Sequence, residues 1–341
     1  MAELLGLPVL LVVDAYGMAE SAGAVVKGFL EYGGERRPLI KGVFFNRVGS
    51  ERHFKHLSKG ISIPVIGFLP KDNDIEIPHR HLGLVTSEER PISEDGIRKL
   101  AELFIENTDI KHLIEDGFSE YKRRKPLRHV KAVRKDLKIG VAYDEAFSFY
   151  YEDNLDLLQH CGAEIVYFSP IRDRKIPEGV DGLYIGGGYP ELYAQELSVN
   201  LEMKNSIREF VDDGGVVYAE CGGFIYLSEG IETEDGKFHE MAGIFPCSIR
   251  YSDRLKALGY REVTVKRECI IGKKGMRGRG HEFRYTEISK LTGEMINVYD
   301  GKAGGYQVKN CLSSYIHLHF MSNPEIAANL VDFIRRNNEQ G

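Results

Sequence analysis

The sequence predicts an α/β protein made of two open parallel-sheet domains in tandem. Three observations carry that expectation. Short continuous apolar runs recur along the chain, as expected of strands buried on both faces of a parallel sheet. Stretches with helical spacing separate them, so strand and helix alternate. A basic, polar run then divides the alternation into two blocks, and 341 residues are more than one core of ordinary size requires.

In the first block, residues 7–14 (Leu-Pro-Val-Leu-Leu-Val-Val-Asp) form a strand and residues 18–32 a helix with small residues on one side. Residues 42–47 are a second strand and 52–59 a second helix. Residues 64–70 are a third strand, stopped by Pro70, which has no N–H to give a ladder. A helix over 97–106, or longer, closes this domain, assigned to residues 1–120. Residues 121–136 contain Tyr121-Lys-Arg-Arg-Lys-Pro-Leu-Arg128 and then Lys131-Ala-Val-Arg-Lys135, a charge run expected of a solvated linker. The second domain, 137–341, has strands at 138–142, 163–168, 182–185 and 215–219, with helices at 154–161 and 201–212. No internal repeat or low-complexity segment interrupts either block.

Composition narrows the function classes. With 45 Lys and Arg against 51 Asp and Glu the net charge is -6. A nucleic-acid or anionic-membrane surface is therefore not expected, and small-molecule ligands are. The apolar run 4–13 is broken by Gly6 and Pro8, too short to span a bilayer, and has no basic front end. Five cysteines, widely spread and with no C-x-x-C pair, argue against a disulfide framework or a zinc site and favour a reducing cytoplasm. No metal-ligating set is assigned.

The chemistry concentrates in three segments of the second domain. Val216-Val-Tyr-Ala-Glu-Cys-Gly-Gly-Phe224 runs a strand straight into Cys221, with two glycines before a helix. That is a nucleophile elbow, in which small neighbours permit a strained turn and the helix N-terminus is expected to lower the thiol pKa. A buried structural cysteine at a strand end is the other reading. Leu183-Tyr-Ile-Gly-Gly-Gly-Tyr-Pro-Glu191 places three glycines directly after another strand. The backbone N–H groups of Gly187 and Gly188, with that of Gly222, can meet a developing oxyanion. A plain glycine turn or a phosphate loop is the alternative. Ser314-Tyr-Ile-His-Leu-His-Phe320 puts His317 and His319 on one face of a strand, where one could deprotonate Cys221 or both could bind a metal. His79 and His81 form a similar pair, taken as loop residues without assigned chemistry.

With those segments in place, the sequence resembles the cobyrinic acid a,c-diamide synthase family, whose pattern is shared with nickel-sirohydrochlorin a,c-diamide synthase. Seven motifs carry the resemblance in the family's order: Val13-Asp-Ala-Tyr-Gly-Met18, Val43-Phe-Phe-Asn-Arg-Val-Gly-Ser50, Pro78-His-Arg-His-Leu-Gly-Leu84, Ala146-Phe-Ser-Phe-Tyr-Tyr151, Gly186-Gly-Gly-Tyr-Pro-Glu191, Ala219-Glu-Cys-Gly-Gly223 and Gly280-His-Glu-Phe283. The resemblance implies an incomplete dethiobiotin-synthetase-like ATP-binding domain followed by a class I glutamine amidotransferase domain. Glutamine would be hydrolysed at Cys221, with His317 as partner. The ammonia would amidate the a and c acetate side chains of a tetrapyrrole, using ATP and Mg2+. Asn46, Arg47 and Pro70 fall where the ATP-binding fold meets adenine, although Asn46 could merely close its strand into a turn. His319 stands where many class I glutaminases carry a triad glutamate, so the third member of the triad is left open.

One departure is large. No G-x-x-x-x-G-K-S/T occurs, and Gly272-Lys-Lys-Gly-Met-Arg-Gly278 has the wrong order. Residues 1–7 resemble the end of an interior helix, so a chain truncated before its P-loop and magnesium ligands is expected, with no diamide formed until that segment is restored. The partners left open are a separate P-loop chain and a second copy of this one. A glutaminase subunit and a non-catalytic protein that kept the fold are the competing functional readings.

Overall fold

The computed structural model describes residues 2–32, 34, 37–75, 92–118, 136–300 and 304–339. The chain divides into two compact units, Met1–Leu127 and Arg128–Gly341. The segment around His79 and His81 and the basic run 121–135 lie outside the described residues.

The first unit is built on strands β1 (Val9–Asp14), β2 (Ile40–Val48) and β3 (Val65–Pro70), paired parallel in the order β1-β2-β3. Helices Ser21–Glu31, Glu51–Leu57 and Glu94–Glu106 follow them in turn. Val13, Val43, Phe45 and Phe68 of the strands pack on Ala22, Val26 and Leu57 of the helices, which is why these strands carry continuous apolar runs. Ser50 caps its helix, its side chain accepting from the His53 N–H at 3.1 Å.

The second unit contains a seven-stranded sheet. Its parallel centre is β4 (Leu137–Ala142), β5 (Ala163–Phe168), β6 (Gly182–Ile185), β7 (Val216–Glu220) and β16 (Cys311–Ser314); β14 (Ile296–Asn297) and β15 (Gly305–Val308) complete one edge antiparallel. The order is β14-β15-β16-β7-β6-β4-β5. Strands 163–168 and 182–185 and the helix Leu201–Asp212 fall where the sequence placed them.

Two further sheets were not anticipated. One joins β8 (Ser228–Glu232), β9 (Phe238–Glu240), β10 (Phe245–Tyr251) and β13 (Thr286–Leu291). The other is antiparallel, β11-β12-β17, from Ala257–Thr264, Arg277–Arg284 and Ile316–His319. It carries the histidines to the end of the parallel sheet, because β16 runs into β17 across Tyr315 alone.

Candidate active site

Cys221 ends β7 and opens the helix Gly222–Leu227. Its backbone sits at φ 48° and ψ -101°, a conformation that costs a side-chain-bearing residue about 1–3 kcal/mol and that the surrounding structure must hold. The glycines beside it are sterically required. A Cβ on Gly223 would stand 2.1 Å from the Ile185 carbonyl oxygen, and one on Gly222 would stand 3.0 Å from the Gly188 nitrogen. The Cys221 N–H donates to the Ser314 carbonyl at 2.7 Å, tying the elbow to β16. The side chain is 8% exposed, with Sγ 3.9 Å from the Phe283 carbonyl of β12.

Burial pushes the Cys221 thiol up to about 12, helped by Glu191 and Glu220 and opposed by the Gly222 N–H and Arg284. This reverses the expected direction. A helix end contributes about 1 kcal/mol, whereas full burial shifts a thiol by up to about 3–5 pH units. The thiol therefore holds its proton, and any reaction as a thiolate would need a base nearby.

His317 lies on β17, 4% exposed, and burial pushes it down to about 3, with His281 adding to the effect. At neutral pH it is therefore uncharged, with a ring lone pair unprotonated, and the same burial weakens it as a base. A Cβ on Gly187 would meet its Cε1 at 2.1 Å and both ring nitrogens at 3.0 Å, so the imidazole lies directly against the triple-glycine backbone. The same glycine segment touches Gly222 on its other side. The glycine loop thus lies against His317 and against the turn that carries Cys221.

The glycine loop is held from below. The Tyr150 hydroxyl donates to the Ala142 carbonyl and accepts the Gly186 N–H at 2.7 Å. Gly187 and Phe149 exchange backbone hydrogen bonds, with the Gly187 N–H on the Phe149 carbonyl at 3.3 Å and the return bond at 3.0 Å. The Gly187 N–H, expected as an oxyanion donor, is paired with the Phe149 carbonyl in this structure. The Gly222 N–H faces the thiol, and the Gly188 nitrogen lies against the Gly222 turn, 3.0 Å from a Cβ built there.

His319 is a third exposed, with Nε2 3.4 Å from an Asp153 carboxylate oxygen and its ring 4.4 Å from that of Tyr151. Residues the sequence did not single out surround His317 instead. His281 is its register partner across the β12–β17 pair, and the two rings stack at 4.6 Å and 6°. The Tyr151 hydroxyl is 2.7 Å from His281 Nδ1. Glu220, directly before the nucleophile, is buried and bound by the Tyr218 hydroxyl at 2.6 Å, the Tyr184 hydroxyl at 2.8 Å and the Leu318 N–H at 2.9 Å. Burial pushes its carboxyl up to about 7 against those three donors. Through Leu318 it fixes the histidine strand to the elbow strand. The signal available was an acid ending an otherwise apolar strand.

In the first unit, Asn46, Arg47 and Pro70 line one cavity of about 720 Å³ with Leu69, Leu100 and Leu103. Lys71, Asp72 and Asn73 add polar and charged groups to the apolar wall of Leu69, Pro70, Ile75, Leu100 and Leu103. Arg47, at φ 58°, donates through Nε to Asp14 Oδ1 at 2.7 Å, and a second guanidinium nitrogen pairs with the other carboxylate oxygen. Its guanidinium also lies 5.0 Å from the centre of the Tyr16 ring. Asn46 Oδ1 accepts the Arg47 N–H at 2.9 Å, so Asn46 also closes the end of β2. Among the described residues no group of three or more His, Cys, Asp or Glu is placed to hold a metal ion, and no helix is long and apolar enough to cross a membrane.

Residues 138–325 match the model of the CobB/CobQ-like glutamine amidotransferase domain. That match makes the chain a glutamine amidotransferase. The chain is 40% identical over 335 residues to the cobyrinate a,c-diamide synthase of Priestia megaterium, covering 95% of this chain and 72% of that protein. To the cobyrinate a,c-diamide synthase of Caldanaerobacter subterraneus subsp. tengcongensis it is 39% identical over 349 residues, 97% and 75% of the two chains. A crystal structure of a glutamine amidotransferase aligns at TM-score 0.42 and 15% identity, over 58% of this chain and 98% of its own. The chain belongs to the cobyrinate a,c-diamide synthase family, and is a glutamine-hydrolysing carbon–nitrogen ligase that performs glutamine-dependent amidation.

Proposed function

We propose that Cys221 is the nucleophile and His317 the base of the glutaminase half-reaction. As Sγ attacks the amide carbon of glutamine, its proton passes to His317. The oxyanion is received by the N–H groups of Gly188 and Gly222. The carbon–nitrogen bond then breaks, and ammonia leaves with the proton returned from His317. Water opens the thioester to give glutamate and restore the thiol. The single observation behind this reading is that one glycine loop packs on His317 and on the strained Cys221 turn.

The ammonia then amidates the a and c acetate side chains of a cobyrinic-acid-type tetrapyrrole, the reaction named for the relatives. ATP, with Mg2+, would supply the phosphoryl group that activates the carboxylate. Asn46, Arg47 and Pro70 would hold its base in the cavity they line. The test is transfer of isotope-labelled amide nitrogen from glutamine, with ATP and Mg2+, to cobyrinic acid or to nickel-sirohydrochlorin. It is run with and without the part of the Priestia megaterium relative that the alignment leaves uncovered. Label on cobyrinic acid is expected. Label on nickel-sirohydrochlorin alone would transfer the activity to that macrocycle, and label on neither would reject the ligase reading.

A further inference from the structure

Glu191 has no role in the chemistry described above, and its placement is costly. It follows Pro190, whose ring packs on the nucleophile turn: a Cβ on Gly222 would stand 2.9 Å from Pro190 Cδ. The residue keeps part of its surface exposed, but Oε2 is shielded from solvent and has no hydrogen-bond partner among the described residues. An unpartnered carboxylate oxygen out of water costs several kcal/mol unless a proton or a cation compensates it. Burial pushes this carboxyl up to about 7, and it is the strongest charged influence on the Cys221 thiol.

Among the described residues no cation is paired with Glu191. Arg284, which also acts on the thiol, is committed elsewhere. Its Nε donates to Glu282 at 2.8 Å, an Nη donates to the Thr286 carbonyl at 2.5 Å, and the guanidinium lies 4.4 Å from the centre of the Tyr315 ring. Of the polar groups on glutamine, the amide must reach Sγ, and the α-carboxylate would be repelled by another carboxylate. The α-ammonium brings a positive charge and three donors, which is what the orphaned oxygen lacks.

We propose that Glu191 receives the α-ammonium of glutamine, and so selects an amino-acid amide over other primary amides at Cys221. This rests on the glutaminase reading above. A pocket built around a charged group rejects the analogue that leaves it unpaired, typically by about 100-fold or more.

The test compares ammonia release from glutamine and from glutaramate, which has the same amide and carboxylate but no α-ammonium. The enzymes are the wild type, Glu191→Gln, Glu191→Asp and Cys221→Ala. Wild-type kcat/KM is expected to favour glutamine by about 100-fold or more, a ratio that falls by at least about tenfold in Glu191→Gln and survives in Glu191→Asp. A wild type that hydrolyses the two amides equally well overturns the proposal, as does a folded Glu191→Gln variant that keeps the wild-type ratio. If Glu191→Gln does not fold, the wild-type preference and its retention in Glu191→Asp decide. Continued glutamine hydrolysis by Cys221→Ala would instead reject the underlying glutaminase assignment, so the two failures are distinguishable.

Discussion

Gly187→Ala is the substitution whose effect the structure defines most closely. The new methyl carbon would lie 2.1 Å from His317 Cε1 and 3.0 Å from both ring nitrogens. Carbon–carbon contact is comfortable near 3.5 Å, so the ring or the glycine loop must retreat by more than about 1 Å. The imidazole has little room, because His281 stacks on it at 4.6 Å. Its strand is also held, with the Leu318 N–H on Glu220 at 2.9 Å and the Leu318 carbonyl accepting from Asn154 at 2.7 Å. Overpacking of this kind costs about 1–3 kcal/mol, which lowers Tm by several degrees without unfolding the chain. Moving a general base by about 1 Å costs roughly 100-fold in rate, and losing it altogether about 100- to 10,000-fold. Ammonia release from glutamine should therefore fall by about 100-fold or more in a protein that still melts cooperatively. Gly179→Ala is the control, since its φ of +70° adds backbone strain but no atom lies within 4 Å of the new carbon. Near-wild-type turnover in Gly187→Ala, or equal losses in the two variants, would refute the placement of His317 as base.

His317→Ala should reduce glutaminase kcat far more than His319→Ala, because His319 faces Asp153 at 3.4 Å and is a third exposed; steady-state ammonia release with both variants decides it. Tyr184→Phe removes one hydroxyl donor from Glu220 and should cost about 1–3 kcal/mol in urea unfolding, an interaction with a charged or partly charged acceptor. Glu220 also makes a pH prediction. Its folded-state pKa is raised from 4.5 to about 7, so the folded state holds the proton more tightly. The contribution is fully present below about 4.5 and is lost as pH rises through 7, amounting to about 3 kcal/mol by linkage. Unfolding measured across that window should show the slope in the wild type and a flatter curve in Glu220→Gln; parallel curves would contradict the assignment.

How much of this was legible in the sequence depended on where each contact comes from. Strand Gly182–Ile185 announced itself because it is buried throughout at the centre of the sheet, and Ala163–Phe168, at the sheet's edge, did so through its nearly continuous apolar and aromatic run. The strand Ala257–Thr264 did not. It alternates half-buried and exposed positions around a glycine and two charged residues, with only Val263 fully buried, a pattern that only its pairing with Arg277–Arg284 makes decisive. Cys221, His317 and the glycine loop could be singled out from their residue types and spacing, but their environment could not. Sequence shows a helix N-terminus behind the thiol and cannot weigh it against burial. Likewise, the bond from Gly187 to Phe149 is an isolated bridge between distant loops, and no local pattern signals it. His281 appeared within a motif but acquired a position only when antiparallel register set it over His317.

The central claim, that Cys221 attacks the amide carbon of glutamine, is tested most directly by covalent trapping. The full chain is incubated with a diazoketone analogue of glutamine, and the product is read by intact-mass and peptide mass spectrometry alongside ammonia release. One adduct is expected, on the peptide carrying Cys221, with loss of activity in proportion to labelling, protection by glutamine, and slower labelling in His317→Ala. Labelling at Cys161, Cys247, Cys269 or Cys311 with Cys221 untouched would contradict the account, as would wild-type glutamine hydrolysis by Cys221→Ala.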